Sequence, residues 1–298
     1  VGRSRIMRPV YLVDSSMYVF RAWFSMPNEF FDTENNPTNA VQGFTRFVCE
    51  LVEREKPEHI YFAFDESLDS NFRNRLYPAY KANRDPAPLE LKRQFEYCRQ
   101  ICRALGFSVL ANGEYEADDL IGTALMQGRA SGRPSLILSA DKDLSHLLGE
   151  HDVQWDYARN ERCQLAGVKA KHGVHAHQLA DYLGLTGDAV DNIPGVPGIG
   201  PKTAATLLSH FGSLDALLEK LDEVPYLRLR SAAQHAARLR EHRETALLCR
   251  NLATIRCDAP MPDNHNHGVR QATDTPALTA LIEQLRFGPL TRRRLLSL

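Results

Sequence analysis

Nine carboxylates stand out by where they fall. Asp14 and Asp65 each follow a short apolar run, and Asp141 and Asp143 follow a third. Glu116, Asp118 and Asp119 open a helical pattern, and Asp188 and Asp191 lie in the loop-like LTGDAVDN. Any one has an ordinary structural use. An Asp after a strand caps the next helix, and an acid in a first helical turn complements the dipole. Nine acids in five segments ask for more. Crowded carboxylates raise each other's pKa and need a counter-charge. Oxygen donors without Cys or His suit a hard cation such as Mg²⁺ or Mn²⁺. Two such ions about 4 Å apart activate a water and stabilise the leaving oxygen of an in-line displacement at phosphorus.

The elements that must position these acids alternate. Strand-like runs at residues 10–13, 59–64, 107–110 and 135–139 are separated by helical patterns at 40–55, 89–105 and 116–129. This predicts an α/β fold with a mainly parallel central sheet and helices on both faces. In such sheets ligands bind outside the carboxyl ends of the strands, where Asp14, Asp65 and Asp141 fall. Glu116 and Asp119 share a helix face; Asp118 joins them only if the helix begins at about that point. After about residue 174 helical patterns dominate, at 179–185, 203–210, 214–221, 231–248 and 276–285, with residues 259–274 a polar loop. The expected division is an α/β region over 7–173 and a helical region over 174–298.

Composition bounds the rest. The chain has 298 residues, 43% hydrophobic and 24% charged, the balance of a globular protein. No apolar run approaches the ~18 residues of a membrane helix, and residues 1–6 lack the apolar core of a signal peptide. Six scattered cysteines show no framework spacing, so reduced thiols and a cytoplasmic setting are expected. A net charge of −1 argues at first against a nucleic-acid partner. If the nine acids serve metal ions, however, the remainder of the chain carries +8.

Two segments fit a nucleic acid. Residues 71–84, NFRNRLYPAYKANR, hold Arg73, Arg75, Lys81 and Arg84 with Phe72, Tyr77 and Tyr80 interleaved. Cations with aromatics suit a single strand, by phosphate neutralisation and base stacking, and equally a solvated helix face. The stretch IPGVPGIGPKTAATLL sets Gly195, Gly198 and Gly200 between two helical patterns, with Lys202 following. Such glycines permit a tight turn and close approach of backbone N–H groups to a phosphate. A P-loop is excluded because Pro201 separates Gly200 from Lys202, and no strand precedes the glycines as a dinucleotide fingerprint requires. The terminal TRRRLLSL reads as a solvated face, His265 and His267 as loop residues, and Trp23 and Trp155 as packing.

Taken in order, VDSS at Val13, FAFD ending at Asp65, YEADD from Tyr115, SADKDL from Ser139 and TGDAVDNIPGVPGIGPKTA from Thr186 resemble the 5′-nuclease (flap endonuclease) family. The resemblance is nearest to the 5′→3′ exonuclease domain of bacterial DNA polymerase I and its stand-alone relatives, and spans residues 11–285. It implies that Asp14, Asp65, Glu116 and Asp118 belong to a first metal site. It implies that Asp141, Asp143, Asp188 and Asp191 surround a second, with Asp119 close to both. It places a helical arch over the active site at about 66–95, with Lys81 and Arg84 near the scissile phosphate and Arg21, Arg73 and Tyr80 on DNA. It makes 193–208 a helix–hairpin–helix element gripping duplex DNA through Gly195, Gly198, Gly200 and Lys202, with a K⁺ ion on main-chain carbonyls. The implied activity is metal-dependent 5′→3′ exonuclease and 5′-flap endonuclease action in replication and repair. RNA–DNA primers are implied among the substrates, and a monomer is expected. The local departure is Glu114, where relatives more often carry a small residue or none. A branched-DNA binding protein without chemistry and a related ribonuclease are the alternatives. The length leaves no room for a polymerase domain, so the chain is expected to be stand-alone or a fragment.

Overall fold

The computed structural model describes residues 7–263 and 266–298; His265 lies outside them. Six strands form one sheet: β1 (Val10–Asp14), β2 (His59–Asp65), β3 (Ser108–Asn112), β4 (Ser135–Leu138), β5 (Val153–Asp156) and β6 (Glu161–Gln164), in the order β3-β2-β1-β4-β5-β6. The first five are parallel, and β6 closes the edge antiparallel to β5. Chain order reverses between β1 and β4, which opens a crevice beyond their carboxyl ends. Asp14 ends β1, Asp65 ends β2, and Asp141 follows β4.

Strand alternation sorts the side chains. Val10 and Leu12 face one side with Tyr61, Ala63 and Ile137; Tyr11 and Val13 face the other with Phe62, Phe64 and Leu138. Helices Ser15–Ser25, Asn39–Glu55 and Leu89–Ala104 cover the second face. Helix Ala117–Ala130 covers the first, and its core runs without a break into the helical region through Leu179, Leu207, Leu208 and Leu239. This continuity holds the loop after helix Leu179–Thr186 against the carboxyl edge of the sheet.

Several elements differ from the sequence expectation. β5 and β6 escape it because β5 is four residues long and β6 is charged and exposed, as an edge strand guarded against aggregation must be. The pattern at 231–248 breaks at His242 into helices Ala232–Glu241 and Arg243–Ala253. The arch region at 66–95 contains one five-residue helix, Phe72–Leu76, then turns over 77–84, before helix Leu89–Ala104 begins. The last two helices, Thr275–Gln284 and Pro289–Ser297, do not share the helical region's core. Leu278, Ile282 and Leu295 return to the face covered by Leu89–Ala104 and Asn39–Glu55. The arginine run is thus half of an amphipathic helix, with Arg294 paired to Glu53. Trp155 is 1% exposed and packs in the core, as expected.

Candidate active site

A cleft of about 410 Å³ lies over the carboxyl ends of β1, β2 and β4. Eight of the nine acids line it: Asp14, Asp65, Glu116, Asp118, Asp141, Asp143, Asp188 and Asp191. Lys81 and Arg84 reach in from the turns over 77–84.

Several of the acids are oriented by a neighbour. Asp14 accepts a 2.7 Å hydrogen bond from Ser139 Oγ. Asp65 accepts from the Ala117 amide at 2.8 Å, so one oxygen does cap the helix that starts there, while its own amide donates to Ser16 Oγ. Asp141 caps the 3₁₀ turn Lys142–Leu147 by accepting from the Asp143 amide. Asp188 and Ile193 exchange both backbone hydrogen bonds at 2.8 Å, which pinches the 188–193 loop and turns Asp188 and Asp191 towards Asp143. Carboxylate oxygens of Asp143, Asp188 and Asp191 lie within 4.8 Å of one another.

The electrostatics follow from burial and crowding. Burial, with the charges of Asp65 and Asp141, pushes the Asp14 carboxyl up to about 7, against the pull of the Ser139 hydrogen bond. Burial and the charges of Asp141 and Asp188 push Asp143 up to about 7. Asp118 is held well above the carboxylate range by burial and by Asp141, Asp14 and Glu116. Asp65 and Asp191 are raised, burial being the main cause for both. Glu116 alone in the cleft goes the other way. Burial opposes its charge, but Lys81 and Arg73 outweigh that. Carboxyls with raised pKa values facing one cleft are short of positive charge, and their all-oxygen donors are those a divalent cation takes.

Glu116 is the meeting point of acids and arch. Its oxygens accept from Asn71 Nδ2, Arg73 Nη1, the Tyr80 hydroxyl and Lys81 Nζ. Arg84 pairs with Asp191.

Three residues are placed otherwise than the sequence suggests. Asp119 faces away from the cleft at 0% exposure, its oxygens taken by Arg73 and by the amides of Arg256 and Glu116. The helix begins at Ala117, so its first turn aims Asp118 at the cleft and Asp119 behind it. Arg73 is 2% exposed and also donates to the carbonyls of Leu252 and Thr254. All its donor directions face protein, which leaves none for a phosphate. Tyr80 is 3% exposed, and its ring offers no face for a base to stack on. The mixed pattern of cations and aromatics is the same for an open arch and for a folded one, and packing distinguishes them.

Arg21 stands outside the cleft. Its guanidinium lies over the Tyr18 ring at 5.5 Å and borders a neighbouring groove that meets the cleft at Ala140. Gly195, Gly198 and Gly200 form the turn between helices Leu179–Thr186 and Pro201–Phe211, and Lys202 is exposed in the first turn of the second. Arg238 stands against Gly198, a contact no spacing in the sequence announces. Ser139, Asn71, Asn83 and Asn192 also hold the site together, and short polar side chains beside the acids were the available signal.

This fold and cleft define a class: an α/β protein whose carboxylates gather at the topological switch point to hold hard cations. Residues 9–173 match the model of the 5′-3′ exonuclease N-terminal resolvase-like domain, and residues 174–276 that of the 5′-3′ exonuclease C-terminal SAM fold. The chain belongs to the 5′-3′ exonuclease family, nucleases acting on DNA. It is 38% identical over 280 residues to DNA polymerase I of Pseudomonas aeruginosa, covering 94% of this chain and 30% of the relative. DNA polymerase I of Rhizobium leguminosarum is 35% identical over 291 residues, covering 95% of this chain and 28% of the relative. The chain thus spans less than a third of the length of these relatives. Its fold is shared with the T5 D15 protein co-crystallized with metal ions, at TM-score 0.66 and 18% identity over 97% of this chain and 98% of that one. It is shared also with the catalytic core of Rad2 in complex with DNA substrate, at TM-score 0.60 and 13% identity over 98% and 92%. Among the described residues no helix is long and apolar enough to cross a membrane.

Proposed function

We propose that the protein is a structure-specific 5′-nuclease using two divalent metal ions, Mg²⁺ or Mn²⁺, to hydrolyse DNA at 5′ ends and 5′ flaps. The observation that carries this is the cleft of eight carboxylates at the sheet's carboxyl edge, five of them with raised pKa values. Asp14, Asp65, Glu116 and Asp118 would hold one ion; Asp141, Asp143, Asp188 and Asp191 would hold the other. Bound there, the ions supply an activated water and a counter-charge for the leaving oxygen. The chain's own residues do the rest. Lys81 and Arg84 exchange their carboxylate partners for the scissile phosphate and stabilise charge developing on it. Asp119 acts behind the site by fixing Arg73, which in turn orients Glu116.

The glycine turn with Lys202, joined by Arg238, would grip duplex backbone without reading sequence. Main-chain carbonyls of such a turn are the oxygen donors a hard cation such as K⁺ takes. Arg21 borders the groove next to the cleft and would meet a phosphate there. Grip through phosphates admits RNA 5′ segments paired to DNA as substrates.

The test is cleavage of a 5′-labelled DNA flap and of a blunt duplex, with Mg²⁺ and with EDTA, beside Asp141→Ala. Metal-dependent cutting near the junction, lost in the variant, is the expected result. Tight flap binding with no cutting under Mg²⁺ or Mn²⁺ would overturn the proposal in favour of a DNA-binding protein. A preference for matched RNA flaps would overturn its substrate class.

A further inference from the structure

The arch segment and the loop bearing Asp188 and Asp191 lie more than a hundred residues apart in sequence, yet they are laced together. Asn192 Nδ2 donates to the carbonyl of Ala79 at 2.6 Å, across 113 residues. The Lys81 amide donates to the carbonyl of Asp191 at 2.9 Å. Asn83 Nδ2 donates to the carbonyl of Ala189, also at 2.9 Å. Each link runs to main chain, so it fixes backbone rather than one side-chain rotamer. The linked residues flank Lys81 and Arg84 on one side and Asp188 and Asp191 on the other.

Two of the participants hold backbone that side chains seldom adopt. Lys81 has φ 56° and Asn192 φ 57°, both left-handed. Asn tolerates that region better than most residues, because its short amide bonds locally. Such conformations persist where surrounding contacts over-determine them. Position 192 thus needs two properties together: tolerance of positive φ and a side-chain donor long enough to reach Ala79. Glycine has the first alone. Aspartate brings an acceptor against a carbonyl. Buried Arg73 and Tyr80 anchor the start of the segment on Glu116 and Asp119, whereas residues 82–86 are exposed, so the links to the 188–193 loop are what hold its outer part.

We propose that Asn192 is a positioning residue that fastens the segment carrying Lys81 to the loop carrying Asp188 and Asp191, so that Lys81 is set against the acids of the cleft. This rests on the nuclease reading only for what the unit acts on; the tether itself belongs to the metal-free chain. A purely structural role for Asn192 predicts a loss independent of Lys81. A positioning role predicts that the loss passes through Lys81.

Two measurements decide. The first is trypsin nicking after Lys81 and Arg84 in the metal-free full chain. Asn192→Gly keeps the left-handed backbone and removes the amide, and nicking is expected to quicken about tenfold while the melting curve stays cooperative. The second is single-turnover cleavage of a labelled 5′-flap at saturating Mg²⁺. Asn192→Gly is expected to slow it about 10- to 100-fold with flap affinity nearly unchanged, the cost of a misplaced catalytic group. The double variant Asn192→Gly/Lys81→Ala is expected to be no slower than Lys81→Ala alone, within about twofold. Unchanged nicking, or losses that multiply in the double variant, would overturn the proposal. If Asn192→Gly does not fold, Asn83→Ala removes a second link without touching position 192 and carries both measurements. If the wild type cuts no flap, the nuclease reading fails, and the nicking comparison still decides the tether.

Discussion

Arg73 and Asp119 form a two-pronged ion pair sealed in the interior, with Nη1 and Nη2 each 2.8 Å from a different carboxylate oxygen. The pair joins the base of the arch to the helix that presents Glu116 and Asp118. Burial opposes the charge on Arg73, and Asp119 and Glu116 more than restore it. Removing one partner of such a pair leaves the other charge buried and alone, which costs about 3–5 kcal/mol. Arg73→Ala is therefore expected to lower unfolding stability by roughly that amount in denaturant titrations, with Arg73→Lys losing a large part of it because an ammonium cannot bridge both oxygens. An Arg73→Ala protein as stable as wild type, with weakened flap binding, would return Arg73 to the DNA surface.

Lys81 is the cation whose loss should be felt in the chemical step. It pairs with Glu116; burial is the largest single influence and opposes its charge, but Glu116, Tyr80 and Asp191 together outweigh burial and keep it charged throughout the working pH range. Lys81→Ala is expected to slow single-turnover flap cleavage about 10²- to 10³-fold, the range for one lost electrostatic donor, with flap affinity little changed. An unaltered single-turnover rate would exclude Lys81 from charge stabilisation.

Asp14 and Asp143 contribute to the pH dependence of the metal-free protein with a definite sign. Asp14 and Asp143 hold protons up to about 7 in the folded chain, whereas an unfolded aspartate releases its proton near ~3.9. Between those limits these two groups bind more protons in the folded state than in the unfolded one, so their contribution to stability falls as pH rises from about 4 to about 7. Below that window both states are protonated, and above it both are ionised, so the slope levels off. Divalent cations reverse the trend, because they bind the ionised acids. Thermal unfolding at pH 5 and pH 8, with Mg²⁺ and with EDTA, checks this. The Mg²⁺-induced rise in Tm is expected to be larger at pH 8. An equal rise at both values would detach the metal from these acids.

The glycine turn makes a graded prediction. Gly195 has φ 69°, and a Cβ there would lie 2.3 Å from the Gly187 amide nitrogen. Gly198 has φ 80°, and a Cβ there would lie 1.8 Å from Arg238 Nη1. Gly200 has ordinary backbone at φ −90° and open space around the position. Gly195→Ala is expected to destabilise most, by more than about 1 kcal/mol, since backbone cannot yield as a side chain can. Gly198→Ala should push Arg238 aside and weaken duplex binding at moderate cost in stability. Gly200→Ala should stay within about 0.5 kcal/mol of wild type, the range of an unremarkable surface change. Melting curves and duplex titrations of the three variants give the order directly.

The sequence by itself determined the strands that end in acids, the alternation that buries both faces of the sheet, and the order of the motifs. These are local properties: a period of two or 3.6, or a carboxylate one residue past an apolar run, is written in neighbouring residues. It determined that a sheet of this kind brings Asp14, Asp65 and Asp141 to one edge. Only the tertiary structure decided which acids face the cleft. Asp118 and Asp119 are adjacent and chemically identical, and the start of the helix at Ala117 sends one forward and one back. Likewise Arg73 and Tyr80 read as DNA-facing in a basic aromatic stretch, yet both are spent on Glu116 inside the protein. Arg73 finds Asp119, Leu252 and Thr254 at separations of 46, 179 and 181 residues. Partners that far apart leave no periodic trace, because what brings them together is the packing of two faces of one core.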